Sequence, residues 1–359
     1  MRLMRPMRLM GLIGLMGLMG CSGEQIPAPA GEVLTPIAFS ASQQNEQVTR
    51  AGSGTPLEQY TNSFRVWAYK HMSNGTQIVM NEYHVDRIEN STASSTTNTD
   101  GWEYVLLGYP NQAIKYWDRN AEAYRFFGVA EIGTPGTWDK TQSDTYKYTC
   151  VADATNIADA PFYTRLWYST GNETDYPTRK FGEPVTLEFV RPFAEVLFKF
   201  TYSDPTAVPK PMLEEPDFRP VKPGKRIAIL GTVTITFPIT GETQESWTST
   251  ADYSKYQLSF TKKENWYTVL PILGQDKGQS GQPDYVEGQG AYILTVTVNG
   301  VEKTCTVPEQ YMEWKPGYRY TYIFKINDED GVELDNVNIG VKNWEKGEES
   351  YQPQIVFNW

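Results

Sequence analysis

The chain has 359 residues and a formal net charge of −11, with 40% hydrophobic and 21% charged residues. That size and mix describe a globular protein with more than one small core and not a disordered chain, and the acidic balance excludes nucleic acid as a partner, because neutralising phosphates requires a basic face. Three cysteines and two histidines are too few for a disulfide framework and leave only His71 and His84 for an imidazole metal site, so no metal and no cofactor is expected.

Met1–Gly20 reads as an export signal. Arg2, Arg5 and Arg8 make a cationic start, and Met10–Gly20 is an apolar run too short to cross a bilayer comfortably. It closes on Leu18-Met19-Gly20-Cys21, which resembles the bacterial lipobox, so Cys21 is the expected lipidation site and the new N-terminus. Several acyl chains on one residue anchor firmly. The stretch Ser22–Gly31 then reads as a tether.

Val33–Ala51 begins as a strand and ends in a polar run whose one basic residue is Arg50. Ile37 and Phe39 lie two apart, so both point to one face of that strand. The C-terminal stretch Pro353–Asn358 repeats the pattern: Ile355 and Phe357 can be laid over Ile37 and Phe39. Two strands with similar inward faces suit the same groove. A cut between Arg50 and Ala51 would release the first, and the second, from another molecule, would be able to take its place.

The body between these ends is strand-like. Phe64–Lys70 alternates and is rich in aromatics, Thr76–Val85 follows, and Trp102–Leu107, Ile114–Trp117 and Ala123–Ala130 are expected as short strands. Glu131–Gln142 reads as loop, Tyr146–Val151 as strand and Gly171–Gly182 as turns. Pro184–Tyr202 carries two strands around Arg191-Pro192, and Ser203–Lys225, with six prolines, is expected to run over the surface. Strands are expected again at Arg226–Phe237, Tyr256–Phe260, Trp266–Pro271 and Tyr318–Ile326. Ala291–Val298 and Val301–Val307 flank Asn299-Gly300, the strongest short hairpin signal, because both turn residues accept positive φ. Many short strands separated by turns argue for an all-β fold of sandwiches. Cys150 and Cys305 are expected as small buried residues.

Several of these strands together resemble a known family. Thr49-Arg50-Ala51, FRVWAYK at 64–70, KYW at 115–117 and YRFFGVA at 124–130 form one set; PVTLEFVRPFAEVLFKF at 184–200, WYTVLP at 266–271 and WKPGYRYTYIFKI at 314–326 form another. Their order and spacing resemble the Bacteroidetes fimbrillins, the lipoprotein pilins of type V pili. One departure is Arg191, where the family pattern leads us to expect a histidine.

The resemblance implies two tandem transthyretin-like Greek-key β-sandwich domains. With the export signal read at 1–20 and a domain boundary placed just before Pro184, after the turn-rich run, the expected division is a signal peptide at 1–20, a propeptide at 21–50, sandwiches at 51–182 and 183–344, and a candidate donor strand at 345–359. It implies export as a lipoprotein to the outer membrane and cleavage after Arg50 by an arginine-specific protease. The first strand, with Ile37 and Phe39, then leaves, and the C-terminal strand of a neighbouring subunit, with Ile355, Phe357 and Trp359, fills the groove. The partners implied are other fimbrial subunits in a head-to-tail polymer, the outer membrane, the protease, and a host or bacterial surface ligand. No catalytic motif is found, and no enzyme is expected. Two other readings remain open: a pilus tip or anchor subunit, and a monomeric surface lipoprotein that binds glycan on aromatic platforms.

Overall fold

The structure is a computed structural model. It describes residues 34–43, 57, 61–88, 101–106, 108–203, 206, 213–220, 227–252, 256–257, 267–271, 292–307, 311, 313–326 and 332–341. The strands in the first half are β1 (Phe39–Gln43), β2 (Ser63–Met72), β3 (Gly75–Arg87), β4 (Trp102–Glu103), β5 (Ala123–Ala130), β6 (Thr137–Asp139), β7 (Thr145–Asp153), β8 (Phe162–Thr164) and β9 (Trp167–Ser169). Those that follow are β10 (Val185–Val190), β11 (Ala194–Tyr202), β12 (Leu213–Pro220), β13 (Ile227–Ala228), β14 (Leu230–Pro238), β15 (Ser246–Ala251), β16 (Tyr256–Gln257), β17 (Tyr267–Val269), β18 (Tyr292–Val298), β19 (Val301–Val307), β20 (Tyr318–Ile326) and β21 (Val332–Val341). The protein is all-β and built from several sheets.

The largest sheet runs β1-β10-β8-β5-β2-β3-β4, with β9 also paired to β5. Its interior strand β2 is buried on both faces along Val66–Tyr69. Phe64, Val66 and Ala68 enter one core with Phe126 of β5, while Trp67 and Tyr69 enter a second core with Phe127 and Val129. The alternation visible in the sequence is therefore apolar on both sides, as in strands covered on two faces. The second core is closed by the sheet β15-β14-β7-β6, through Val233, Ile235 and Phe237 of β14 and Tyr148 and Cys150 of β7.

A third core lies between the sheets β17-β11-β20-β21 and β12-β18-β19, with Val196, Leu294, Val296, Trp314, Tyr322 and Phe324 inside. Pairing across sheets follows long-range register. Strand β14 pairs with β7 from Leu230↔Asp153 to Pro238↔Thr145, and β10 pairs with β8 and β1. Backbone hydrogen bonding thus runs across residue 182.

The hairpin at Asn299-Gly300 forms as its sequence requires, with φ of 51° and 79°, the doubly left-handed turn that matches strand twist. Other expectations need correction. Of the described residues 102–106, only Trp102–Glu103 is strand, and Ile114–Trp117 contributes a single bridge at Tyr116. The proline-rich run is not all surface loop, because Leu213–Pro220 pairs with β18. It does so at a sheet edge, with Pro216 where the register shifts between Glu214 and Asp217, the positions at which a strand tolerates proline. The stretch Glu131–Gln142 holds β6, and β8, β9, β15 and β21 had no sequence assignment. His71 and His84 lie on β2 and β3, and Cys150 and Cys305 are free and buried. Arg191 is buried with its guanidinium 4.4 Å from the centre of the Phe162 ring.

Candidate functional site: the seat of the first strand

The segment from Thr35 to Gln43 changes partners midway. Over its first residues it lies antiparallel to Lys115–Trp117: Trp117 N–H donates to the Thr35 carbonyl at 3.0 Å, and Ile37 N–H donates to the Lys115 carbonyl at 2.8 Å. From Phe39 onward it runs parallel to β10, in register from Phe39↔Val185 to Gln43↔Phe189. The changeover is marked by Val185 N–H donating to the Ala38 carbonyl at 2.8 Å, and Ser40 and Thr186 join hydroxyls at 2.8 Å. Among the described residues, β1 has no second strand beside it and forms one end of its sheet.

The side chains tell the opposite story. Ile37 and Phe39 are both 0% exposed. Phe39 meets Phe64, Tyr104 and Phe126 edge-on, at centroid distances of 6.2, 5.8 and 6.0 Å, the favoured aromatic geometry. Val185, Leu187 and Phe189 of β10 complete the same core. A strand at the backbone periphery therefore supplies side chains at the centre of the core. Ile37 and Phe39 both belong to this one core.

Tyr104 was not singled out in the sequence, where it sits in a stretch read simply as strand. It is fully buried, and its hydroxyl donates to the Ile37 carbonyl at 2.9 Å and accepts from Lys115 N–H at 3.1 Å. Burial pushes its ionisation far above the ordinary tyrosine value, so the hydroxyl remains a neutral donor. Nothing in a lone tyrosine among strand residues signals this role.

The remaining site residues, Cys21, Arg50, Ala51, Ile355, Phe357 and Trp359, lie outside the described residues. Among the described residues, no group of three or more His, Cys, Asp or Glu side chains is arranged to hold a metal ion.

A family model described as fimbrillin-like matches residues 49–344. Similar solved structures include a fimbrial protein of Bacteroides vulgatus, 13% identical, with 86% of this chain and 99% of that one covered at a TM-score of 0.41. A candidate cell adhesion protein of Parabacteroides distasonis is 12% identical, with 88% and 100% covered at 0.39. A candidate polysaccharide-binding protein of Bacteroides thetaiotaomicron is 11% identical, with 89% and 100% covered at 0.31. No curated protein sequence matches the chain significantly.

Proposed function

We propose that this chain, which belongs to the fimbrillin-like family, is a structural subunit that polymerises by strand exchange at the seat of its first strand. Family membership gives it a fimbrial or adhesin-like role at the cell surface, in company with other fimbrial subunits. The finer reading is export as a lipoprotein on Cys21, anchoring in the outer membrane, and cleavage after Arg50 by an arginine-specific protease. The first strand then departs, and the C-terminal strand of another subunit enters through Ile355, Phe357 and Trp359. The assembled fibre adheres to a host or bacterial surface, and the work is mechanical, not catalytic.

The observation that carries this reading is the split between the backbone and side chains of β1. Phe39 of β1 and Ile37 just before it are wholly buried, yet among the described residues the backbone of β1 occupies the end of its sheet. A peripheral strand can leave without breaking pairings between the strands that remain, whereas the departure of β2 would cut the sheet in two. The seat left behind would expose an unpaired edge of β10 and an apolar trough, a combination that recruits an extended peptide. Refilling it with an Ile and a Phe returns roughly 1.5–3 kcal/mol for each side chain, before ladder hydrogen bonds. Donation from tail to seat is heterologous and does not close, so it builds a filament. The matched span also opens at residue 49, beyond the first strand, and ends at 344, before the tail.

The test is the N-terminus of the protein recovered from the native cell surface, read by mass spectrometry. A start at Ala51 is expected. A lipidated start at Cys21 throughout would overturn cleavage and leave an unprocessed anchor subunit or a surface binder. Arg50→Ala should accumulate lipidated monomer, and unchanged polymer in that variant would refute the processing step.

A further inference from the structure

The contact between the first strand and Lys115–Trp117 contains an irregularity with a specific cause. An antiparallel pair at Ile37 and Lys115 would ordinarily exchange two direct hydrogen bonds, N–H to C=O in each direction. One of them is present, from Ile37 N–H to the Lys115 carbonyl at 2.8 Å. The other is replaced by a relay: Lys115 N–H donates to the Tyr104 hydroxyl at 3.1 Å, which donates onward to the Ile37 carbonyl at 2.9 Å. A side chain has been inserted into the ladder at one rung.

That rung lies where the strand changes partners. Up to Ile37 its bonds go to Lys115–Trp117, and from Ala38 they go to β10. The same tyrosine ring packs edge-on against Phe39, two residues further along. Tyr104 thus reads two consecutive inward positions at once, the carbonyl of the first and the ring of the second. It sits on the connection after β4, and its backbone is held from the other side by the Gln112 side-chain amide, which donates to the Tyr104 carbonyl at 2.6 Å. Gln112 in turn bonds the His84 backbone, accepting from its N–H at 2.7 Å and donating to its carbonyl at 2.9 Å. The hydroxyl is therefore presented from a fixed frame.

We infer that Tyr104 is the register-setting residue of the seat: its hydroxyl accepts only a strand that places a backbone carbonyl at the Ile37 position when an aromatic side chain occupies the Phe39 position. Register matters here more than affinity, because a slip of one residue would turn the whole inward face outward. The parallel pairing with β10 is evenly spaced and does not distinguish neighbouring registers by itself. Side-chain burial already opposes a slip of one residue; a hydrogen bond off the ladder, coupled to a ring contact, also opposes a slip of two, which keeps the same face inward but moves the aromatic ring away from Tyr104. For an incoming C-terminal strand the carbonyl read would be that of Ile355, and this extension rests on the strand-exchange reading above. The claim about the resident strand does not.

Two experiments test it, both with Tyr104→Phe, which keeps the ring and removes the hydroxyl. In the intact chain, amide hydrogen exchange at Ile37 and Lys115 should accelerate about tenfold, with Ala68 and Phe126 in the same core unchanged. Rates at Ile37 and Lys115 unchanged from wild type would overturn the inference, and so would uniform acceleration, which marks general loosening. The second experiment uses the full chain with a site-specific protease sequence in place of residues 44–50. After cleavage, synthetic peptides covering residues 33–43 compete for the seat, one with the natural amide between Ile37 and Ala38 and one with an ester there, whose carbonyl is a weaker acceptor. The ester should cost the wild-type seat about fivefold more than it costs the Phe variant, a coupling that a merely structural role would not produce. No difference between the two costs, or a seat that no peptide enters while exchange in the intact chain is also unaltered, refutes the role. A peptide of residues 351–359 in the same assay separates the two readings. If it fails to bind while the coupling stands, strand donation falls and the register role survives.

Discussion

Replacing Phe39 by alanine asks how much of the first strand's hold on the body is one side chain. Phe39 is 0% exposed and meets three rings edge-on. Truncation of a buried phenylalanine typically costs about 3–5 kcal/mol, the transfer loss plus the cavity left behind. At roughly 1.4 kcal/mol per factor of ten, the lower figure alone is a change of about a hundredfold. Where that loss is felt depends on topology. Strand β1 has β10 as its one strand neighbour among the described residues, so it can open without breaking the backbone pairings of β2 or β5. The expected result is local: exchange of amides in residues 35–43 rises about a hundredfold or more, and that of Ser63–Met72 and Ala123–Ala130 stays within a few-fold of wild type. Hydrogen exchange with mass spectrometry resolves the three segments in one run. A uniform rise across all three would refute the reasoning, because the strand would then be part of one cooperative unit. Exchange at 35–43 equal to wild type would refute it in the other direction.

Other perturbations probe the rest of the fold. The pair Arg319–Glu195 spans β20 and β11 at 2.8 Å with both side chains less than a tenth exposed; Glu195→Leu should cost about 3–5 kcal/mol in urea unfolding and Glu195→Leu with Arg319→Met much less, since a lone buried charge is worse than none, and equal losses in both would refute this. Gly231 on β14 has no room for a side chain, as an added Cβ would lie 2.3 Å from the Thr250 carbonyl oxygen and 2.5 Å from the Leu270 side chain; Gly231→Ala should lower the melting temperature by several degrees, at about 1–3 kcal/mol. Burial would raise the Asp118 carboxyl, but bonding from Lys70 and Asn120 overrides it and the group titrates below its ordinary value. That stabilisation is present above the ordinary carboxylate pKa and is lost as pH falls through the lowered one, so Lys70→Met should flatten the acid side of the stability profile by under about 1 kcal/mol, the pair being partly exposed.

The strands that the sequence revealed are those whose own residues carry the pattern. Phe64–Lys70, Ala123–Ala130 and Tyr318–Ile326 combine aromatic or β-branched side chains with length, and Asn299-Gly300 fixes its hairpin locally. The short strands β8 and β9 and the polar edge strand β15 escaped, because three residues have no readable period and Ser246–Ala251 gains its strand state from pairing with β14. Leu213–Pro220 was hidden by its prolines, which an edge strand tolerates. At the site, the inward pair Ile37 and Phe39 was legible from spacing alone. Their partners were not: Val185 is far away in the chain and Lys115 sits in a stretch that forms only one bridge. Tyr104 acts through one hydroxyl at one rung, a fact of three-dimensional placement with no sequence trace.

Under the strand-exchange proposal, the placement of β1 also bears on how the resident strand would be replaced. A strand held mainly by ladder bonds along both edges must break many of them together to leave. One held mainly by side chains in a closed core would leave a large cavity. Here the two kinds of hold are staggered along the chain. The ladder to Lys115–Trp117 ends at Ile37, the ladder to β10 begins beyond it, and the buried side chains straddle the changeover. On the strand-exchange proposal, an incoming strand would displace the resident one stepwise, taking the β10 edge first and the Ile37 rung last. On that order, weakening the Ser40–Thr186 hydroxyl contact by Thr186→Val should speed the start of displacement, whereas Tyr104→Phe should alter its final step and the register reached. Displacement kinetics of a labelled 33–43 peptide from the cleaved chain separate the two, and identical effects of both variants on the initial rate would refute a directional exchange.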